Sequence, residues 1–155
     1  MIASLRQIEA VARKEIGAHF GSPTALIFVG VFLLVTLLSF FWVETFYARN
    51  IADVRPLFEW MPVLMMFLAG VLTMRQWSEE QRGGTLEVLL TLPINRAYLV
   101  MGKFLAVVGL IIVALALTLI LPITVSLLGD LDWGPVFGGY LAAVLMASAY
   151  TAIGL

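Results

Sequence analysis

Residues 24–43 read TALIFVGVFLLVTLLSFFWV, twenty residues without a charge. Fourteen of them are Leu, Ile, Val or Phe. Each of these residues favours membrane insertion by roughly 0.3–0.6 kcal/mol at the centre of a helix. About 20 such residues cross the hydrocarbon core of a bilayer as an α-helix. The run therefore predicts a transmembrane helix that inserts unaided, and Ser22 with Pro23 indicates where it begins.

Three further apolar runs follow along the chain, so that the predicted spans are about 24–46, 57–74, 97–128 and 134–155. The third run is long enough to tilt in the membrane or to break near Pro122, which cannot donate a helical hydrogen bond. The predicted fold is an all-α, polytopic bundle of transmembrane helices, which occupies residues 24–155.

The composition excludes several classes of protein. The chain is 62% hydrophobic and 12% charged, whereas soluble domains carry roughly a quarter charged residues. A formal net charge of -1 gives no basic field to hold a nucleic acid. With no cysteine and one histidine, the chain has no disulfide, thiolate chemistry or Cys/His metal cluster, and we predict no metal site and no catalytic residue.

Residues 1–23 are predicted to form an amphipathic helix on the membrane surface. Its apolar positions recur every three or four residues: Leu5, Ile8, Ala12, Ile16 and His19. The alternative is a solvated leader before the first span. We expect His19 to be an interfacial side chain without a chemical role. The predicted membrane-interface anchors are Arg13, Lys14, Arg75, Trp77 and Lys103, the last reaching lipid phosphates.

Basic residues predict the orientation in the membrane. Six of the nine Lys and Arg residues lie before the first span or between the second and third, Lys103 lies in the first turns of the third, and two lie between the first and second. Basic loops face the cytoplasm. We therefore expect a cytoplasmic N-terminus.

Residues 74–96 read MRQWSEEQRGGTLEVLLTLPINR. A charged run and a two-glycine break precede a short apolar helix, which Thr85 can cap and Pro93 ends. A short helix with so many leucines either docks into a groove of a partner protein or packs on the membrane surface or the chain's own spans. The residues alone leave both interpretations open.

The same residues form the pattern Glu79-Glu80-x-Arg82-x-Gly84-Thr85-Leu86-Glu87-x-Leu89-Leu90-x-x-Pro93, followed by Gly102-Lys103. This pattern resembles the loop between the second and third spans of ABC-2 type transporter permeases. The resemblance is strongest to the gliding-motility-associated ABC transporter permease branch, through Arg13-Lys14-Glu15, Phe20-x-Ser22-Pro23, Arg55-Pro56-Leu57-Phe58 and Asp132-Trp133-Gly134-Pro135.

The resemblance implies a permease subunit of an exporter in the bacterial inner membrane, in which two permeases assemble with two ABC ATP-binding subunits. It implies that the loop helix contacts the ATPase, so its interface residues would be Glu79, Glu80, Arg82, Gly84, Thr85, Leu86, Glu87, Leu89, Leu90 and Pro93. ATP and Mg²⁺ would be bound by the partner. The chain itself shows no phosphate-binding loop and is not expected to be an enzyme.

Permeases of this type usually have six spans, and the apolar run up to Leu155 has no polar flank, so we expect further C-terminal spans. The rival interpretation is a secondary transporter or channel subunit driven by an ion gradient. Such proteins usually place ionisable groups near the membrane midplane. The charges here lie towards the ends of the spans, which favours the ABC interpretation; the substrate is not predicted.

Overall fold

The computed structural model describes residues 2–21, 23–43, 54–84 and 96–155. Within these ranges the chain is 93% helical and has no β-strand, which confirms the all-α prediction. In chain order the helices are α1 (Ile2–Gly21), α2 (Pro23–Leu38), continued by a π-helical turn at Ser39–Val43, α3 (Arg55–Arg82), α4 (Arg96–Thr118), α5 (Ile120–Leu128) and α6 (Trp133–Gly154).

Four helical segments are long and apolar enough to cross a membrane, in agreement with the predicted bundle. They are Pro23–Trp42, Arg55–Arg82, Ala97–Leu128 and Trp133–Gly154. The first begins at Pro23, where the sequence predicts a helix start.

The centre of the bundle is formed by α3 and α4. Helix α3 packs chiefly against α6, whereas α4 packs against α1 and α6, and α2 contacts both central helices. Met65 and Leu72 on α3 and Val107 and Ile111 on α4 are buried in the common core. Apolar side chains such as Leu141 on α6 are exposed on the outside, as expected of a helix surrounded by lipid.

Helices α3 and α6 approach each other closely at glycines of α6. A Cβ atom added to Gly139 would lie 2.5 Å from Cζ of Phe58, and one added to Gly154 would lie 2.5 Å from Oγ1 of Thr73. Small residues let transmembrane helices approach until their backbones and side chains interlock. Glycine at these positions therefore sets the α3–α6 packing.

The long third apolar run is broken rather than tilted as one helix. Helix α4 ends at Thr118, and α5 starts two residues later with Pro122 in its first turn. Pro122 cannot donate to the carbonyl of Thr118, and its ring clashes with that carbonyl. The backbone N–H of Leu119 bonds instead to the carbonyl of Ala116 at 3.2 Å, a tighter turn that ends α4.

Hydroxyl groups in the spans are bonded to their own helices. The Oγ1 atoms of Thr36, Thr118 and Thr151 donate to carbonyls three or four residues earlier, each at 2.7 Å. Side chains bonded in this way cost little to bury in an apolar bundle. These threonines therefore serve helix packing.

Helix α3 is longer than the predicted span at 57–74, because it continues through the charged residues to Arg82. Arg75 and Glu79, one turn apart, form an ion pair on this extension. Gly84 then adopts a φ of 62°, a left-handed conformation that favours glycine, at the predicted two-glycine break.

Candidate functional site

The predicted loop helix lies outside the described residues, while the segments that flank it are described. Helix α3 ends at Arg82 and α4 begins at Arg96. The predicted interface residues that lie outside the described part are Thr85, Leu86, Glu87, Leu89, Leu90 and Pro93. Their contacts remain predictions, and the described flank contains Glu79, Glu80, Arg82 and Gly84.

A buried group of charged and polar side chains lies where α1, the end of α3 and the start of α4 meet. Nζ of Lys103 donates to Oε1 of Glu80 at 2.5 Å and to Oε1 of Glu15 at 3.3 Å. Nε2 of Gln76 donates to the other oxygen of Glu15 at 3.3 Å. We call Glu15, Gln76, Glu80 and Lys103 the basal cluster.

Each member of the basal cluster is positioned by helical geometry. Gln76 and Glu80 are one turn apart on α3 and share a face, and Lys103 lies two turns into α4. Glu15 comes from α1. The ring of Trp77 adds a cation–π contact, with its centroid 5.4 Å from Nζ of Lys103. The cluster thus joins three helices through one ammonium group.

The charges of the cluster are largely withdrawn from solvent. The side chain of Lys103 is 0% exposed, and those of Glu15 and Glu80 are 13% and 11% exposed. Burying an ion costs several kcal/mol unless partners of opposite charge compensate it. Here one cation faces two carboxylates, and the ammonium of Lys103 bonds to both.

His19 lies beside this cluster and is 4% exposed, more deeply buried than an interfacial side chain would be. Burial lowers its pKa below 6.5; the carboxylates of Glu15 and Glu79 oppose this shift, and the cations of Arg75 and Lys103 reinforce it. Its Nε2 atom has no hydrogen bond among the described residues. The imidazole is therefore neutral at pH 7.

The structure corrects the prediction that Lys103 is a membrane-interface anchor. A fully buried ammonium bonded to two carboxylates does not reach lipid phosphates. Arg75 is also largely buried and pairs with Glu79 at 2.5 Å. Arg13 and Lys14 are exposed on α1, and Trp77 is half-buried.

The residues predicted to contact an ATPase fall into two groups. Glu79 keeps 53% of its side chain exposed, and Arg82 is exposed at the end of α3. Glu80 instead directs its carboxylate into the basal cluster. Glu79 and Arg82 are thus accessible to a partner, whereas Glu80 acts inside the bundle.

Sequence reasoning missed Glu15 and Gln76 as members of a site. The available signal was Lys103, a charge within an apolar run, because such a charge usually pairs inside the bundle. Its partners are 23 and 88 residues away in the chain, and no local pattern selects them.

A groove between α2 and α3 runs towards the same end of the bundle. It holds a cavity of about 330 Å³ with an almost wholly apolar lining, which includes Phe32 and Phe67. An adjoining cavity of about 400 Å³ shares Phe28 with it but is lined by Ser78 and Arg82 as well. The lining thus changes from apolar to polar towards this end of the bundle.

A family match includes both the basal cluster and the predicted loop helix. Residues 9–155 match the family described as ABC-2 family transporter protein. The chain belongs to the ABC-2 transporter family. No curated protein and no solved structure shows a significant match.

As a member of the ABC-2 family, the chain is a membrane permease of an ABC transporter and a multi-pass membrane protein. Permeases of this family are membrane components without an ATPase of their own, and membership implies an ATP-binding partner. The family resemblance predicted from residues 79–93 is thereby confirmed at the level of the ABC-2 permease.

Proposed function

We propose that this permease belongs to an exporter in which ATP hydrolysis by a partner subunit drives substrate across the membrane. Two permeases, identical or different, would assemble with two ATP-binding subunits, which bind the ATP and Mg²⁺. The family match over residues 9–155 is the observation that carries this proposal. The motif residues shared with gliding-motility-associated permeases favour that branch.

The coupling contact is proposed to be the segment of residues 85–93. It joins the end of α3 to the start of α4, and these helices form the centre of the bundle. A partner that pushes on the segment would therefore act on both central helices. Glu79 and Arg82 supply exposed charges beside it, while the leucines of the segment supply apolar surface for a groove.

The orientation that fits this proposal places the N-terminus and residues 75–96 on the cytoplasmic side of the bacterial inner membrane. Six of the nine basic residues lie in the N-terminal stretch and the second loop and then lie on the cytoplasmic side, as is usual for short loops. An ATP-binding subunit in the cytoplasm could reach the coupling segment only in this orientation.

Reconstitution tests the proposed function. The tagged permease is expressed with the ATP-binding subunit encoded nearest to it, purified and placed in liposomes. We expect the two to co-purify and the permease to accelerate ATP turnover above that of the isolated subunit. Ion flux by the permease alone, with no binding and no acceleration, would instead favour a channel or secondary transporter.

A further inference from the structure

The basal cluster connects helices that flank the proposed coupling segment. Glu80 lies four residues before Gly84, where α3 has just ended, and Lys103 lies seven residues after Arg96, where α4 begins. The two helices on either side of the segment are therefore bonded to each other through Lys103. Glu15 adds α1 to the same point.

The charge count makes Lys103 the hub of this connection. Loss of either carboxylate would still leave one ammonium facing one carboxylate. Loss of the ammonium would leave two buried carboxylates with no cation from the cluster between them, which is strongly unfavourable. Within the basal cluster, Lys103 is therefore the side chain that joins the three helices by ionic contacts.

Helix α1 is also held by shape next to the cluster. A Cβ atom added to Gly102 would lie 2.5 Å from Cγ1 and 2.7 Å from Cβ of Val11. Val11 is β-branched and cannot swing aside easily. Gly102 thus lets α1 pack directly on α4. This contact and the ion pair between Lys103 and Glu15 together fix the position of α1.

We propose that Lys103 is a positioning residue for coupling. Its ammonium fastens α1 to the end of α3 and the start of α4, so that these elements move as one body when the ATP-binding subunit acts on the segment between them. The role of Lys103 in coupling rests on the proposed function. The ion pairs that hold α1 against α3 and α4 are a property of the permease alone.

Three variants separate the ionic contact from the stability of the fold. The charge-free variant Glu15→Gln/Glu80→Gln/Lys103→Met removes the contact without leaving any cluster charge unpaired. The exchange variant Glu15→Lys/Glu80→Lys/Lys103→Glu reverses all three charges, so that opposite charges still face each other at both contacts of residue 103. Lys14→Met is the matched control, because it removes a lysine that is exposed on α1.

The first measurement is the position of α1. The chain has no cysteine, so spin labels can be placed uniquely at Ala10→Cys on α1 and Ser78→Cys on α3, both exposed positions. We expect a single narrow distance distribution in the wild-type, Lys14→Met and exchange permeases. The charge-free variant should give a broad distribution.

The second measurement is the acceleration of ATP turnover by the permease in liposomes. In the charge-free variant the acceleration of ATP turnover should fall by about fivefold or more, the lower end of ordinary coupling between two sites. The exchange variant should recover most of it, and Lys14→Met should keep it. A merely structural role would leave the acceleration unchanged in a charge-free permease that unfolds at the wild-type temperature.

The outcomes are distinguishable. A narrow distribution in the charge-free variant overturns the inference, and so does a broad one with full acceleration. If the wild-type permease gives no acceleration, the proposed function fails and the coupling role fails with it, while the label distances still decide whether Lys103 fastens α1.

A second route applies if the charge-free variant does not insert. Gly102→Ala should displace α1 without altering any charge, and Val11→Gly should restore the contact because it removes both atoms that the added Cβ would meet. We expect Gly102→Ala to broaden the distance distribution and lower the acceleration, and Val11→Gly/Gly102→Ala to regain both. A displaced α1 with unchanged acceleration would overturn the inference.

Discussion

Lys103 and Lys14 are the same residue type in opposite environments. Lys14 is exposed on α1, where water solvates its ammonium. Lys103 is enclosed, and among the described residues the carboxylates of the basal cluster and the ring of Trp77 replace that solvation. Their substitution should therefore have very different effects on the free energy of unfolding.

Lys103→Met should destabilise the purified permease by about 3–5 kcal/mol, the usual cost of breaking a buried ion pair from one side. Lys14→Met should change it by no more than about 0.5 kcal/mol. Glu80→Gln should cost less than Lys103→Met, because Glu15 still faces the ammonium. Unfolding in detergent measures all three, and equal stability of the two lysine variants would contradict the account.

His19 should make stability depend on pH. Its pKa is lowered in the folded protein, so the unfolded chain takes up the proton first. The contribution of neutral His19 is then complete above about pH 6.5 and is lost as the pH falls below that value.

As the pH falls from about 7 to about 5.5, the midpoint temperature of thermal unfolding should therefore decrease more steeply for the wild type than for His19→Gln, whose side chain does not titrate. Parallel decreases in the two proteins would show that other groups cause the pH dependence.

At the scale of elements, two adjacent glycines of α6 differ in what surrounds them. A Cβ atom at Gly139 would collide with the ring of Phe58, whereas one at Gly138 meets nothing within 4 Å. Helix propensity alone would favour alanine at both positions by up to about 1 kcal/mol.

Gly139→Ala should destabilise the permease by about 1–3 kcal/mol through overpacking between α3 and α6. Gly138→Ala should be neutral or slightly stabilising and is the matched control. The unfolding midpoints of the two variants check this, and a stable Gly139→Ala protein would mean that α3 and α6 are not held this closely.

The elements differ in how far the sequence could predict them. The four spans are readable because a run of apolar residues is a local signal. The extension of α3 to Arg82 was missed because its charges favour a loop, although Arg75 and Glu79 are spaced to pair along a helix. The basal cluster was missed because its contacts join residues up to 88 positions apart, which only the packing of α1 against α4 brings together.

At the scale of the whole molecule, the distribution of basic residues predicts the orientation in the membrane. Gln81→Cys should be protected from a membrane-impermeant thiol reagent in intact cells, and Asn50→Cys should react. The chain offers a clean background because it contains no cysteine. Reaction at position 81 without reaction at position 50 would reverse the orientation and exclude a cytoplasmic coupling segment.

In the proposed assembly the permease and the ATPase meet at residues 85–93, so the most direct test replaces the leucines predicted to be buried there. Leu86→Ala/Leu89→Ala should weaken the interface by about 2 kcal/mol or more for each side chain. Leu141→Ala/Leu145→Ala, on the exposed face of α6, is the matched control.

The decisive measurement is co-purification of the ATP-binding subunit with each permease variant, together with the acceleration of its ATP turnover. The account predicts that Leu86→Ala/Leu89→Ala inserts normally but neither co-purifies with the ATP-binding subunit nor accelerates its ATP turnover. The control variant should do both. Wild-type yield of the complex and unaltered turnover with Leu86→Ala/Leu89→Ala would contradict it.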